Sequence, residues 1–166
     1  DVPGRDHAGW NDYGIGLLLQ GDLKGAEAVF LKVTQMDPGY ADGWVNVGRV
    51  RAQEGNIAGA REVVEKALAL APDLARANYF LSRVLKAEGK LEDSAAVLRK
   101  VLAQYPKDRV VRNDLGRVLF LLRTYAEAVK EFETTLAIDP EDLTAHYNLM
   151  LCYNGLKQPE RAKEHQ

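Results

Sequence analysis

Residues 41–74 read ADGWVNVGRVRAQEGNIAGAREVVEKALALAPDL, and the pattern of this stretch recurs at a fixed period along the chain. Three rows of residues keep the period: Pro38, Pro72, Pro106 and Pro140; Ala26, Ala60, Ser94, Ala128 and Ala162; and Gly14, Gly48, Ser82 and Gly116. A period of this length, the step from Pro38 to Pro72, predicts an array of small helical units, in which each unit buries its apolar face against its neighbours.

Each period predicts two helices. The first helix carries apolar and small residues at helical spacing, as in Trp10, Tyr13, Gly14 and Leu17, and the second does the same with Ala26, Val29, Phe30 and Val33. A glycine ends the first helix at Gly21, Gly55 and Gly89, where a left-handed cap costs glycine little. The proline row stops the second helix. Asp108 and Asp142 are the predicted N-caps of the helices that follow them.

The small residues predict close helix contacts within each hairpin. We expect Gly14 to face the level of Ala26, because two antiparallel helices approach closely only where side chains are small. Phe30 and Phe132 are then expected to fill the space between hairpins.

Some positions depart from the repeat. Asn78, Arg112 and His146 occupy the row of Trp10 and Trp44, so the later units lack that aromatic residue. Arg51 stands in an apolar row, which predicts a stem on apolar surface with its charged head in water. Arg123 replaces the turn glycine, at a cost of roughly 1 kcal/mol.

The run Trp10, Tyr13, Gly14, Leu17, Ala26, Phe30 and Pro38 resembles a bacterial-type tetratricopeptide repeat (TPR). The resemblance implies an all-α fold, a right-handed α-solenoid of antiparallel helix pairs with about four and a half units. It predicts an N-terminal tail, residues 1–6, and a single domain, residues 7–166, divided into residues 7–40, 41–74, 75–108, 109–142 and a partial unit, 143–166. We expect the charged last helix to act as a cap.

Composition excludes several classes of function. The net charge of −2 gives no bulk attraction to nucleic acid or anionic lipid, and no apolar run is long enough to insert into a membrane. We therefore expect a soluble protein with no nucleic-acid partner, cytoplasmic by default and periplasmic if it is part of a larger exported protein. Cys152 is the only cysteine and is expected to be a small buried hydrophobe.

The TPR resemblance implies that the first helix of each pair lines a concave groove for a peptide or protein segment. The predicted peptide-binding residues are Asn46, Arg49, Arg76, Tyr79, Arg83, Lys86, Asn113, Arg117, Tyr147 and Asn148. Among them Arg49, Arg83 and Arg117 stand one period apart and predict a ladder of guanidinium groups across three helices. This basic ladder in a net-acidic protein favours an acidic peptide ligand. The alternative is a solvated row in which Arg117 pairs with Asp114 three residues earlier.

The sequence predicts no catalytic site, metal site or cofactor. Its three histidines, His7, His146 and His165, have no metal-ligand spacing, and no glycine-rich phosphate loop is present. His146 falls in a core row and is expected to be packed or half-buried. The leading prediction is therefore a non-enzymatic protein-interaction scaffold.

Two alternatives stay open. The first is self-assembly into a homo-oligomer, through apolar surface expected around Leu149 and Tyr153 in the incomplete last hairpin. The second rests on residues 145–153, which resemble a stretch of bacterial repeat proteins that join such arrays to multihaem cytochrome domains. That resemblance would make the chain the docking arm of a larger redox protein. The chain starts at Asp1 rather than methionine, and it contains no Cys-x-x-Cys-His motif for haem attachment.

Overall fold

The computed structural model describes residues 7–157, 161–162 and 164–165. Within these residues it contains helices and no strand. The helices are α1 (His7–Leu19), α2 (Leu23–Met36), α3 (Ala41–Gln53), α4 (Ile57–Leu70), α5 (Ala75–Ala87), α6 (Leu91–Gln104), α7 (Arg109–Leu121), α8 (Tyr125–Ile138) and α9 (Leu143–Gly155). The first helix of each successive repeat begins at an equivalent position: His7, Ala41, Ala75, Arg109 and Leu143. The fold is therefore all-α and built from repeated helix pairs, as the repeat predicts.

The chain divides into two compact units between Glu88 and Gly89. Unit 1 contains α1–α5, and its consecutive helices pack against one another, with a further contact between α3 and α5. Its core has two clusters of buried residues: Leu18, Ala26, Phe30, Val47, Val50 and Val63; and Val45, Val64, Ala67, Ala77 and Phe80.

Unit 2 contains α6–α9, again with consecutive helices in contact and with α9 also touching α7. Its largest fully buried side chains are Leu98, Leu115, Phe132 and Leu149. The prediction of an apolar surface for self-assembly around Leu149 and Tyr153 is wrong, because within the chain itself Leu149 is fully buried and Tyr153 is only 5% exposed. The exposed apolar residues of unit 2 lie elsewhere, at Tyr105, Val110, Leu121, Ile138, Leu143 and Tyr147.

The small residues of the first helices accommodate aromatic rings. A methyl group on Gly14 would overlap the ring of Phe30, and one on Gly116 would overlap the ring of Phe132. The expectation that Gly14 faces the Ala26 level is therefore corrected, because its partner lies one turn further along the second helix. Both rings are fully buried, and Phe30 belongs to a core cluster with Val47, Val50 and Val63 of the next hairpin. At these two positions the first helix passes over a flat ring, whereas Gly48 of the same row lies against Val63 and Val64, beside the Ala60 backbone.

The predicted turns and caps are present. Gly21, Gly55 and Gly89 have φ values of 83°, 79° and 78°, and Arg123 and Lys157 adopt the same left-handed backbone with φ of 62° and 59°. The carboxylates of Asp108 and Asp142 accept hydrogen bonds from the backbone N–H groups of Val111 and Ala145. Two further caps, Asp22 and Asn56, accept from Gly25 and Gly59 at the starts of α2 and α4. Short polar residues followed by a glycine three positions later were the signal for these two.

The row that begins with tryptophan has a common hydrogen-bonding role. Four side chains bond to the carbonyl of the proline six residues earlier: Trp44 to Pro38 at 2.9 Å, Asn78 to Pro72 at 3.0 Å, Arg112 to Pro106 at 2.8 Å and His146 to Pro140 at 2.7 Å. The constraint on this row is therefore an N–H donor rather than an aromatic ring, so the loss of aromatic residues in the later units leaves the tie intact. His146 is half-buried, as expected.

Arg51 is paired inside unit 1. Its Nε donates to Glu27 at 3.0 Å and one terminal nitrogen donates to the Gly59 carbonyl at 3.0 Å. The expectation that its charged head lies in water is wrong, because a carboxylate on α2 and a backbone acceptor replace the water.

None of the helices in the described part of the chain is long and apolar enough to cross a membrane.

Candidate functional site

Helices α3 and α5 in unit 1 hold the first six predicted binding residues, of which Arg76, Arg83 and Lys86 are exposed, Arg49 and Tyr79 partly exposed and Asn46 buried. We call this surface the unit 1 face and define it by Asn46, Arg49, Arg76, Tyr79, Arg83 and Lys86. The spacing of three and four residues places the members from each helix on one side of it, and the two helices are in contact. The surface therefore draws on two first helices of the repeat.

A chain of polar contacts crosses this face. The Asn46 amide donates to the Asn11 side chain at 2.7 Å, and its oxygen accepts from Arg76 at 2.8 Å. Arg76 also forms an ion pair with Asp42. Asn46 itself is 1% exposed, so it contributes by holding Arg76 in place rather than by offering its own surface. Because Asp42 and Arg76 stand in one repeat row with opposite charges, their separation by one period was the sequence signal for this pair.

Three cations on the unit 1 face form no ion pair with a described residue: Arg49, Arg83 and Lys86. Arg83 lies over the Phe80 ring at 5.9 Å, and Phe80 is packed edge-on against Tyr79 with ring centroids 5.3 Å apart. Other arginines of unit 1 are paired: Arg51 with Glu27, Arg61 with Glu65 and Glu88, and Arg76 with Asp42. The unit 1 face therefore presents positive charge that nearby carboxylates do not neutralise.

The predicted site residues in unit 2 differ in character. Arg117 pairs with Asp114 at 3.8 Å, as the alternative interpretation expected. Tyr147 is 57% exposed, whereas Asn148 is buried and donates to the Thr144 carbonyl at 2.8 Å. Val110, the second residue of α7, is 63% exposed. We call Val110, Asn113, Arg117, Tyr147 and Asn148 the unit 2 face. Its exposed side chains are Val110, Tyr147 and Arg117, and the charge of Arg117 is paired with Asp114.

Asn113 is tied to the helix cap of α9. Its amide donates to Asp142 at 3.1 Å, and its buried oxygen has no partner among the described residues. Burial raises the pKa of Asp142, but hydrogen bonds from Ala145, Asn113 and Arg109 outweigh it, so the net pKa is lowered. Asp142 therefore stays ionised as the cap of α9, and Asn113 helps to fix that helix.

The three-arginine ladder stays a prediction. Arg49 and Arg83 belong to unit 1, and Arg117 belongs to unit 2, where Asp114 pairs with it. The contacts that the structure gives directly are those of Asn46 with Arg76 and of Arg83 with Phe80.

The described residues contain no group of three or more histidine, cysteine, aspartate or glutamate side chains that could hold a metal ion. Cys152 is buried, and burial raises the pKa of its thiol to about 11, so it has little thiolate character at neutral pH.

Solved structures with the same fold are numerous. A MamA protein from Desulfovibrio magneticus RS-1 is 20% identical, with a TM-score of 0.85, and the match covers 98% of this chain and 92% of that one. Pseudomonas aeruginosa PilF is 22% identical with a TM-score of 0.86, covering 96% and 72%. YrrB, described as a TPR protein with an unusual peptide-binding site, is 22% identical with a TM-score of 0.75, covering 96% and 82%. At these identities the matches show a shared fold.

Among curated proteins, no sequence matches this chain. A family model described as tetratricopeptide repeat matches residues 17–83 and, in an overlapping second match, residues 51–117. Together the two matches cover more than half of the chain. With the constant period of its helices and its structural neighbours, this coverage shows that the chain belongs to the tetratricopeptide repeat family.

Proposed function

We propose that the chain is a non-enzymatic interaction module that binds an acidic peptide or protein segment on the unit 1 face. Membership of the TPR family supports a protein or peptide partner, and the peptide-binding site described for YrrB shows that this fold can hold a peptide. The acidic character of the ligand rests on this chain's own residues.

The observation that carries the proposal is the unpaired charge on the unit 1 face. Arg49, Arg83 and Lys86 have no carboxylate partner within the described residues, although paired arginines are common elsewhere in the same unit. A carboxylate ligand suits these positions because an arginine guanidinium binds a carboxylate with two parallel hydrogen bonds.

Arg76 and the aromatic pair supply the rest of the surface. Arg76 is held by Asn46 and Asp42, so its position is fixed before a ligand arrives and less side-chain freedom is lost on binding. Tyr79 lies beside Phe80 and adds a flat contact of the kind that is enriched at binding hot spots. The surface therefore combines charge with one aromatic contact.

The test is binding of a labelled oligoglutamate peptide and of its oligoglutamine counterpart, measured by fluorescence anisotropy at low and high salt. The wild-type protein should prefer oligoglutamate, and the preference should weaken with salt. The double variant Arg49→Ala with Arg83→Ala should weaken oligoglutamate binding by about tenfold, equivalent to about 1.4 kcal/mol. Lys24→Ala removes one positive charge from α2, outside the face, and is the control for each single variant, Arg49→Ala and Arg83→Ala.

Unchanged affinity and unchanged salt dependence in the double variant would contradict the proposal. Equal binding of the two peptides by the wild-type protein would do the same. A loss of affinity as large in Lys24→Ala would show that net charge, rather than the unit 1 face, attracts the peptide.

A second candidate function is self-association through unit 2. The exposed apolar side chains Val110, Leu143 and Tyr147 support it, since Leu143 is 83% exposed at the start of α9. Light scattering over a range of concentrations tests this function, and a mass that stays monomeric throughout would contradict it.

A further inference from the structure

Two histidine rings meet near the end of the described chain. Nδ1 of His146 on α9 lies 2.8 Å from Nδ1 of His165, while Nε2 of His146 lies 2.7 Å from the Pro140 carbonyl oxygen. A second neighbour of His165 is Tyr153, whose ring is stacked on it with centroids 5.7 Å apart and an interplanar angle of 20°. His165 is therefore held between two side chains of α9.

The proton positions in this pair follow from the partners. A carbonyl oxygen only accepts hydrogen bonds, so Nε2 of His146 carries a proton. In neutral His146 the other nitrogen, Nδ1, is then an acceptor, and Nδ1 of His165 must be the donor. A proton added to Nε2 of His165 keeps this hydrogen bond. A proton added to Nδ1 of His146 also keeps a hydrogen bond, because neutral His165 can carry its proton on Nε2 and accept at Nδ1. The bond is lost when both rings are protonated, because two N–H groups and two positive charges then face each other.

His165 lines one side of an open cavity. Leu143, His146, Tyr147, Met150, Glu164 and His165 line a space of about 440 Å³. Ala162, three residues before His165, is 3% exposed, and Tyr153 is 5% exposed. Loss of the His165 contacts would therefore remove one wall of the cavity and expose apolar surface of α9 around Tyr153.

We propose that residues 161–162 and 164–165 form a strap over α9 that is closed at neutral pH and released in acid, with the His146–His165 pair as its sensor. Release exposes an apolar surface made by Met150, Tyr153 and the cavity-lining side of Tyr147. The proposal does not depend on the function assigned to the unit 1 face.

The direction of the pH dependence follows from His165. Burial, and then the charge of His146, lower the pKa of His165, while Glu164 and Glu133 raise it by a smaller amount. With the strap open, His165 titrates at its ordinary value of about 6.5. The closed form is therefore favoured above that pH, and this preference is lost as the pH falls through the lowered pKa.

Other charged groups surround the strap. Glu133 of α8 accepts a hydrogen bond from the Tyr153 hydroxyl at 2.9 Å, and Arg161 lies over the Tyr153 ring at 5.9 Å. Burial, followed by the bond to Glu133, raises the pKa of Tyr153, so this phenol does not titrate in acid.

The experiment follows the whole chain by NMR with labelled histidine and tyrosine rings during an acid titration. The ring signal of His165 should titrate with a midpoint below about 6.5, and the Tyr153 ring signals should shift with the same midpoint because the imidazole leaves the stack. A chelator is present in a parallel titration, and the curves should not change.

Two variants keep the test specific. His146→Asn keeps an amide donor for the Pro140 carbonyl, as Asn78 does for Pro72, but removes the nitrogen that faces His165. His165→Gln keeps a donor that does not titrate. Both variants should lose the Tyr153 transition over the histidine range, while circular dichroism shows unchanged helix content.

Three outcomes would overturn the proposal. The first is a Tyr153 ring that stays unshifted while His165 titrates. The second is the same Tyr153 transition in His146→Asn. The third is a transition abolished by the chelator, which would assign the contact to a bound metal ion rather than to a shared proton.

Discussion

The unit 1 face and the unit 2 face are built on the same repeat but present different chemistry. In unit 1, Arg49, Arg83 and Lys86 have no carboxylate partner in the described chain, whereas in unit 2 Asp114 pairs with Arg117 and the exposed positions include Val110 and Tyr147. The repeat therefore fixes where a side chain stands, and the neighbouring side chains decide how much charge it offers to a ligand.

The cores allow a comparison of the two units. Phe30 and Phe132 are equivalent, fully buried rings that lie against Gly14 and Gly116. Phe30→Ala and Phe132→Ala should each lower the free energy of unfolding by about 3–5 kcal/mol, because a large cavity is left in a close-packed hairpin.

Denaturation in urea, followed by both tryptophan fluorescence and circular dichroism, measures these losses. Both tryptophans, Trp10 and Trp44, lie in unit 1, so fluorescence reports that unit while circular dichroism reports all helices. If the units unfold together, both probes should give the same midpoint in each variant. Separate midpoints would show independent unfolding, and a loss below about 1 kcal/mol would contradict the packing described for the ring.

One of the two hydrogen bonds to a proline carbonyl in the described part of unit 2 is made by an arginine, and the other by His146. Arg112 donates to Pro106 and also to Glu131 at 2.7 Å, and its side chain is 14% exposed. Arg112→Met keeps the apolar stem but leaves both acceptors without this donor, and should cost about 1–3 kcal/mol.

Thermal unfolding measures this effect, with Arg99→Met as the control. The Arg99 pair with Glu127 is long, at 3.9 Å, and exposed, so that variant should change little. Equal stability of Arg112→Met and wild type would contradict the interpretation that this row must supply an N–H donor to the proline carbonyl.

The turns between paired helices also differ. Unit 1 uses Gly21 and Gly55, whereas unit 2 has Arg123 with φ of 62° at the equivalent position. Arg123→Gly should raise the free energy of unfolding by up to about 1 kcal/mol, because a left-handed backbone strains a residue with a Cβ atom. Gly55→Ala should lower it by a similar amount. Chemical denaturation of the two variants checks the opposite signs, and two changes of the same sign would disagree with this account.

The smallest expected effect tests the charge difference between the faces. Asp114→Asn removes the partner of Arg117, so oligoglutamate affinity should rise by up to about fivefold, since an exposed pair is worth less than about 1 kcal/mol. Glu127→Gln is the control, because it removes an acidic group from α8 instead. Anisotropy measures both variants. An equal rise in the two would assign the effect to net charge.

Much of the fold was readable from local signals. The left-handed glycines, the caps Asp108 and Asp142 and the two-helix period depend on backbone geometry within a few residues, so the chain sequence alone predicts them. The predictions that the Arg51 head lies in water and that the surface around Leu149 is exposed are wrong, because residues from other helices set both environments.

The candidate site was only partly predictable for the same reason. Sequence spacing placed Asn46 and Arg76 on first helices, but their hydrogen bond, the burial of Asn46 and the Asp42 ion pair appear only when neighbouring helices are packed. The sequence also did not predict the shared hydrogen bond to a proline carbonyl, which is made by Trp44, Asn78, Arg112 and His146. These four side chains all have an N–H donor but differ in size and shape.

The sequence by itself determined the family, the helix starts and the turns, since a fixed period repeats the same local backbone preferences in each unit. Tertiary structure decided which cations stay unpaired and which histidines meet. Those outcomes depend on distances between side chains that are remote in the chain, and Coulomb and hydrogen-bond energies change over a few ångströms.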